Sequence, residues 1–160
     1  MIALARVDDR LMHGQVSVGW VPHLHATVVV VANDRIAADP LLAGILQSCS
    51  LGVRVEVVPV AEAARRSAGA DWASETVIML FENLQDARRA MDAGLVVARL
   101  NLGGLRHDAG RICLCDGVTL DNEDCAILQD FSRRGVEVDV RLMPHDRSCA
   151  LPGQLHEGNG

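Results

Sequence analysis

Two carboxylates, a guanidinium and an imidazole lie close together near the start of the chain, at Asp8, Asp9, Arg10 and His13. A neutral imidazole can act as a nucleophile near pH 7 without an activating base. The pattern after His13 predicts a helix, whose first backbone N–H groups would face any group attached to the ring. A phosphoryl group there would gain roughly 0.3–2 kcal/mol from those donors and from the helix dipole. Phosphoryl chemistry at His13 is therefore one interpretation of this spacing.

The neighbouring charges have roles in that interpretation. Arg10 would make a bidentate contact to phosphate oxygens. Asp8 or Asp9 would hold one ring nitrogen of His13 as N–H and leave the other free to attack. The spacing leaves open which aspartate does so. A plainer interpretation fits the same residues, in which the aspartates cap a helix or pair with Arg10 and His13 is an ordinary solvated side chain.

The elements that would position these residues alternate along nearly the whole chain. Strands are predicted at residues 2–7, 27–32, 53–59, 76–81, 95–101, 111–115 and 136–142. Four consecutive valines in 27–32 are typical of a strand buried on both faces. The alternation of apolar and charged residues in 136–142 is typical of a strand near a sheet edge. Helices are expected after caps at Asp39, Asn83 and Asp121, and Pro22 is expected to end or kink the first helical segment early.

Strands that alternate with helices predict an α/β fold, with an open, mostly parallel β-sheet and helices on both faces. Ligands of such sheets gather at the carboxyl ends of the strands. We therefore expect residues from several strand ends to line the site. Those at the later strand ends are Asn33, Asp34, Phe81, Asn101 and Gly103. Plainer alternatives exist here too: a turn and cap at 33–34, a core position at 81 and a tight turn at 101–104.

Composition excludes several classes of function. The net charge of −6 argues against a nucleic-acid surface. All basic residues are arginines, so Schiff-base chemistry and a phosphate-loop lysine are excluded. An aspartyl-phosphate receiver built on Asp8 and Asp9 would also need a lysine. A metabolite-binding α/β module remains an alternative, although the first loop lacks the glycine pattern of dinucleotide sites. The five scattered cysteines predict neither disulfides nor a metal site.

Length and hydropathy limit the number of domains and the expected location of the chain. The 160 residues fit one domain, and no apolar run approaches the roughly 20 residues of a membrane span. The N-terminus lacks the pattern of a signal peptide. We therefore expect a cytoplasmic domain with a reduced complement of thiols.

The segment RVDDRLMHGQV at residues 6–16, followed by Trp20, resembles the active-site segment of the IIB components of the bacterial phosphotransferase system. The resemblance is to the mannose/fructose/sorbose family. It continues in residues 30–34, 39–40, 79–83, 101–104 and 135–141, in the order of the family. It therefore covers about residues 2 to 142, and its first segment is the specific one.

The resemblance implies a function. IIB components of this family accept a phosphoryl group from a phosphorylated IIA domain, here onto His13, with Nδ1 as the attacking atom. They pass it to a sugar that the membrane IIC and IID subunits import. No metal and no other cofactor is implied, because the group arrives already bonded to a histidine. The chain would lie in the cytoplasm and associate peripherally with the membrane through IIC and IID. A homodimer is left open, as is the sugar.

The predicted site combines the residues with the family pattern. His13 is the phosphorylated nucleophile, with Asp9 and Arg10 as further catalytic residues. The phosphate-binding residues are Arg10, Gly14 and Gln15, and the pocket-lining residues are Asp8, Asn33, Asp34, Phe81, Asn101 and Gly103.

The chain departs from the family after the last strand. The family usually continues into a C-terminal helix, whereas residues 144–160 are short and glycine-rich here. We expect a IIB domain at 1–143 and a loose tail at 144–160. The proline often found after the aromatic residue at 81 is also missing. These departures bear on partner docking, so a phosphorelay or regulatory role without transport is an alternative.

Overall fold

The structure is a computed structural model that describes residues 1–50, 52–106 and 112–151. The strands are β1 Ile2–Asp8, β2 Val28–Ala32, β3 Arg54–Val58, β4 Val77–Phe81, β5 Arg99–Gly104, β6 Ile112–Cys115, β7 Val118–Leu120 and β8 Glu137–Val140. A π-helix, Gln15–Trp20, precedes the α-helices α1 Val21–Leu24, α2 Asp34–Ala37, α3 Pro40–Ser48, α4 Val60–Ala68, α5 Leu84–Asp92 and α6 Asn122–Arg133.

Six strands form one sheet in the order β3-β2-β4-β1-β5-β8, and every neighbouring pair is parallel. Helices α4, α5 and α6 pack on one face, and the π-helix, α2 and α3 pack on the other. Successive strand residues point to opposite faces, so the valines of β2 serve both cores and are fully buried. The predicted open parallel sheet with helices on both faces is confirmed.

The caps predicted from the sequence begin their helices. The Asp39 carboxylate accepts hydrogen bonds from the first backbone N–H groups of α3, and Asn83 and Asp121 cap α5 and α6 in the same way. On helix α3, Leu41 and Ile45 are mostly exposed. Only its Leu42, Ala43 and Leu46 pack against the core.

The first helical segment changes type next to Pro22 and ends early, as expected, whereas the fifth strand is shifted from its predicted range. Pro22 lies in the first turn of α1, where the π-helix gives way to one α-helical turn, and the chain leaves it at His25 in a left-handed conformation with φ of 51°. Strand β5 begins later than predicted and continues to Gly104, so residues 101–104 form strand and not a tight turn.

Strands β6 and β7 form a separate two-stranded sheet, and residues after β8 contact the edge of the main sheet. The strand expected at 111–115 is β6, which pairs antiparallel with β7; residue 111 lies outside the described residues. Beyond β8, Cys149 donates its backbone N–H to the Val140 carbonyl at 2.8 Å, and Leu151 packs against the core. Residues 144–151 therefore contact the sheet where we expected a loose tail, because they extend the hydrogen bonding of its edge strand. The remainder of that tail, 152–160, lies outside the described residues.

Candidate active site

The loop between β1 and the π-helix holds His13 at the carboxyl end of the sheet. Buried Leu11 and Met12 anchor the loop in the core. Leu11 has a positive φ of 53°, and its N–H donates to the Asp8 carbonyl, which closes a tight turn. The carbonyl of His13 accepts from the backbone N–H groups of Val16 and Ser17. His13 therefore lies immediately before the first helical turn, as the sequence predicts.

The two ring nitrogens of His13 have different partners. Nε2 lies 2.9 Å from Oδ2 of Asp8, and the backbone N–H of Gln15 donates to Nδ1 over 3.3 Å. A carboxylate only accepts, so Nε2 carries the proton and Nδ1 carries the lone pair. The side chain is 15% exposed, which gives it access to the surface. Of the two ring nitrogens, Nδ1 is therefore the one that holds a lone pair.

Asp8 is fully buried and ionised. Its Oδ2 accepts from Arg6 at 2.8 Å as well as from His13, and its Oδ1 accepts from the Arg10 backbone N–H at 3.2 Å. Burial raises the pKa of Asp8, but the hydrogen bond to His13 and the charge of Arg6 lower it by more, and the pKa is about 2. A carboxylate that resists protonation can stabilise positive charge on the His13 ring.

The depressed pKa of Asp8 predicts an acid-dependent loss of stability. The pKa falls from 3.8 to about 2 on folding, so Asp8 stabilises the fold above about pH 4 and loses this contribution as the pH falls toward 2. The size is about 2 kcal/mol. Urea unfolding between pH 6 and pH 2 measures it, with D8N as the comparison. A wild-type free energy of unfolding that falls no more steeply than that of D8N would contradict this prediction.

Arg6 is the main residue that the prediction missed, because it was noted only as the start of the family segment. Its guanidinium is fully buried, donates to Asn101 Oδ1 and to the Arg141 carbonyl, and lies over the ring of Trp20. Burial lowers the pKa of Arg6, and Asp8 opposes that shift. An arginine inside the apolar segment 2–7 was the available signal, since alternation puts residues 6 and 8 on one face of β1.

Arg10 and Gln15 form the exposed side of the site. Nη2 of Arg10 donates to Oε1 of Gln15 at 2.8 Å. The two residues line a cavity of about 170 Å³ together with Gly103 and Arg106. The structure therefore brings the predicted phosphate-binding side chains together with the predicted glycine of β5, while His13 contacts Gln15 and does not itself line this cavity. The Arg10 guanidinium is 36% exposed and can reach an incoming anion.

Asp9 and Asn101 have other contacts than those predicted. Asp9 accepts from the backbone N–H of Arg106 at 2.9 Å and pairs with its guanidinium at 2.9 Å. Asp8, and not Asp9, therefore contacts His13. Asn101 is fully buried behind Arg6 and donates to Asp139 Oδ2 at 3.1 Å, so it supports the site from within and does not line an open pocket.

Asn33 and Asp34 follow a strand that is not adjacent to β1, whereas Phe81, on the neighbouring strand β4, pairs with Val7. Asn33 caps α2 and donates to Glu82 Oε2 at 2.7 Å, and Asp34 pairs with Arg89. Their strand, β2, is separated from β1 by β4 in the sheet. Phe81 is fully buried in the core, so it presents no surface to a pocket. Among the described residues, these three make no hydrogen bond or ion pair with His13, and their lining of the same site stays a prediction.

Two further features concern metal binding and membrane insertion in the described part of the chain. No group of three or more His, Cys, Asp or Glu side chains is placed to hold a metal ion among residues 1–50, 52–106 and 112–151. Within the same residues, no helix has the length and apolar character needed to cross a membrane.

Comparisons with known proteins identify the family. The family model for the sorbose subfamily IIB component of the PTS system matches residues 2–157. The chain is 32% identical over 157 residues to the sorbose-specific EIIB component of Klebsiella pneumoniae, covering 98% of this chain and 96% of that protein. It is 33% identical over 147 residues to the mannose-specific EIIAB component of Escherichia coli strain K12, covering 91% of this chain. It spans only 46% of that longer relative.

A solved structure agrees with the sequence comparisons. The IIBSor domain of the sorbose permease from Klebsiella pneumoniae superposes with a TM-score of 0.87 at 31% identity. The match covers 99% of this chain and 98% of that one. The chain therefore belongs to the sorbose-subfamily IIB components of the phosphotransferase system.

Proposed function

We propose that the chain is a IIB phosphocarrier that accepts a phosphoryl group from a phosphorylated IIA domain on Nδ1 of His13 and passes it to a sugar. In this role it is a protein-histidine to sugar phosphotransferase. The observation that supports the proposal is the pairing of His13 Nε2 with the buried, ionised Asp8, which leaves the lone pair on Nδ1, where it accepts the long hydrogen bond of 3.3 Å from the Gln15 N–H.

In the first step, the lone pair of Nδ1 attacks phosphorus, and the P–N bond to the donor histidine breaks as the new P–N bond forms. The attack places positive charge on the His13 ring, which Asp8 stabilises through Nε2–H. In this proposal Arg10 contacts the phosphoryl oxygens, and the backbone N–H groups of Gly14 and Gln15, at the start of the helix, favour the anion. In the second step the oxygen of a sugar hydroxyl attacks phosphorus, the P–N bond to His13 breaks, the hydroxyl proton passes to solvent, and the ring returns to its neutral Nε2–H form.

The proposal includes partners. They are the phosphorylated IIA domain, the membrane IIC and IID subunits and the sugar, and the chain would lie in the cytoplasm at the membrane through IIC and IID. Relatives are named for mannose, sorbose and fructose, so we propose a hexose substrate. The chain needs no cofactor in this scheme, because the phosphoryl group arrives already activated.

Replacing His13 with alanine is expected to abolish phosphorylation of the chain. The test incubates the purified protein with the phosphorylated IIA part of the mannose-specific relative and detects the label by mass spectrometry. We expect an acid-labile modification on the wild type and none on H13A, because only Nδ1 of that ring is positioned to attack.

The control is H23A, which removes a different histidine on the helix that follows the site. H23A is expected to label as the wild type does. An unlabelled but folded wild-type chain, or an H13A variant that labels normally, would contradict the proposal. Labelling without sugar uptake in cells that carry IIC and IID would support the phosphorelay alternative.

A further inference from the structure

The guanidinium of Arg6 occupies an unusual place for a charged group. It is fully buried, on the side of the site that faces the sheet, and its Cζ lies 5.6 Å from the centre of the Trp20 ring. The backbone of β5 passes so close that a Cβ built on Gly103 would lie 1.8 Å from Cζ of Arg6. Its Nε has no hydrogen-bond partner among the described residues. Burying such a charge is costly, so stability alone is a weak reason for its presence.

The contacts of Arg6 converge on the groups that hold His13. Nη2 of Arg6 donates to Oδ2 of Asp8 at 2.8 Å, and the same oxygen lies 2.9 Å from Nε2 of His13. Nη2 also lies 3.4 Å from Oε1 of Gln15, the residue whose backbone N–H donates to Nδ1. One guanidinium therefore contacts the partner of each ring nitrogen.

The other terminal nitrogen of the guanidinium, Nη1, holds Arg6 itself in position. Nη1 of Arg6 donates to the side-chain oxygen of Asn101 and to the Arg141 carbonyl. Asn101 is oriented in turn by Asp139, to which its amide nitrogen donates at 3.1 Å. These acceptors come from β5 and from the residue after β8. Contacts from β5 and from the residue after β8, both outside the loop that carries His13, thus help to set the position of Arg6.

We propose that Arg6 is a positioning residue for phosphotransfer, whose guanidinium holds Asp8 and Gln15 so that His13 keeps the proton on Nε2 and the lone pair on Nδ1. The inference rests on the proposed function of His13 as the phosphorylated residue. A guanidinium suits this role because its rigid planar fork addresses several acceptors at once, whereas an ammonium is a single point charge. Arg6 itself is too deeply buried to touch the phosphoryl group.

Replacing Arg6 with methionine is expected to change the tautomer of His13. In ¹⁵N-labelled wild-type protein at a pH where the ring is neutral, the long-range ¹H–¹⁵N spectrum should show the Nε2–H form. R6M should show a mixture of both tautomers. Its rate of phosphorylation by phosphorylated IIA should fall by about 10- to 100-fold, the loss expected when a reacting group loses its supporting contacts. R6K should recover part of the Nε2–H population, because it restores a cation beside Asp8.

The matched control is R66M, because Arg66 also lies over an indole, with Cζ 4.5 Å from the centre of the Trp72 ring. R66M should keep the wild-type tautomer and rate. A folded R6M with the wild-type tautomer and rate would overturn the proposal. If R6M does not fold, the wild-type protein decides: phosphorylation of His13 should shift the guanidinium signals of Arg6 and leave those of Arg66 unchanged. Unmoved Arg6 signals would then overturn it.

The tautomer measurement separates this inference from the proposed function. It uses unphosphorylated protein, so it reports on Arg6 even if the chain accepts no phosphoryl group. A failure of labelling with an Arg6-dependent tautomer would contradict only the proposed function. Normal labelling with a tautomer that does not depend on Arg6 would contradict only the positioning role.

Discussion

Replacing Asp8 with asparagine is expected to slow the phosphorylation of His13 by roughly 1,000-fold or more, because an imidazole in the wrong tautomer carries its lone pair on the wrong nitrogen. Asp8 Oδ2 accepts from both Arg6 Nη2 and His13 Nε2, while Oδ1 accepts from the Arg10 backbone N–H. An amide nitrogen at the Oδ2 position would donate to Nε2 and move the proton to Nδ1. At the Oδ1 position the amide nitrogen would face the Arg10 N–H, so neither orientation reproduces the native contacts.

The same substitution is expected to destabilise the protein. It removes the carboxylate that compensates the buried Arg6 charge at 2.8 Å. Breaking a buried ion pair by neutralising one partner typically costs about 3–5 kcal/mol. Urea unfolding at pH 7 measures this loss, and single-turnover phosphorylation at saturating IIA measures the rate on the fraction that is folded. Both effects should appear together, because they arise from one carboxylate.

The neighbouring aspartate supplies the control for D8N. Asp9 pairs with Arg106, whose side chain is 54% exposed, and such surface pairs contribute about 0–1 kcal/mol. D9N should therefore phosphorylate at close to the wild-type rate. A D9N variant that loses the rate, beside a D8N variant that keeps it, would contradict the geometry and favour Asp9 as the residue that orients His13.

The fold could be predicted from the sequence because its signals are local. The four valines before Ala32 are typical of a strand buried on both faces. Asp39, Asn83 and Asp121 lie where a helix needs an acceptor for its first N–H groups. Each of these patterns depends on a few consecutive residues. Alternation of such segments then leaves few arrangements other than a parallel sheet covered on both sides.

The composition of the site could be predicted only in part, because it depends on the order of the strands. Sequence places Asn33 and Asp34 at a strand end, as it does Asp8, but β4 lies between their strand and β1. The two strand ends are therefore not neighbours. Loop residues that follow different strands meet only if those strands are adjacent, and nothing local to either segment encodes adjacency.

The choice between Asp8 and Asp9 depended on where β1 ends. Asp8 is the last residue of β1 and points to the same face as Arg6, whereas Asp9 begins the turn and reaches across to Arg106. A shift of one residue in the strand would exchange the two carboxylates. The sequence does not locate a strand end to within one residue, so it left the alternative open.

Replacing Gly103 with alanine is expected to disrupt the site from the neighbouring strand β5, without removing any functional group of the site. The new Cβ would lie 1.8 Å from Cζ and 1.9 Å from Nη2 of Arg6, so either the guanidinium or β5 must move. Overpacking of a buried position typically costs about 1–3 kcal/mol. Because Nη2 is also the atom that contacts Asp8, we expect phosphorylation to slow by about 100-fold as the support of His13 is displaced.

The matched control for G103A is G44A, which makes the same chemical change on the exposed face of α3, where a Cβ meets nothing within 4 Å. That variant should gain about 0.5–1 kcal/mol, because alanine loses less backbone freedom than glycine in a helix, and it should phosphorylate normally. The pair separates the cost of a methyl group at any position from the cost of moving Arg6. If G103A matches the wild type in stability and rate, β5 does not constrain the guanidinium. If G103A loses rate with little loss of stability, the site requires the Arg6 guanidinium to lie close against β5, which explains why residue 103 has no side chain.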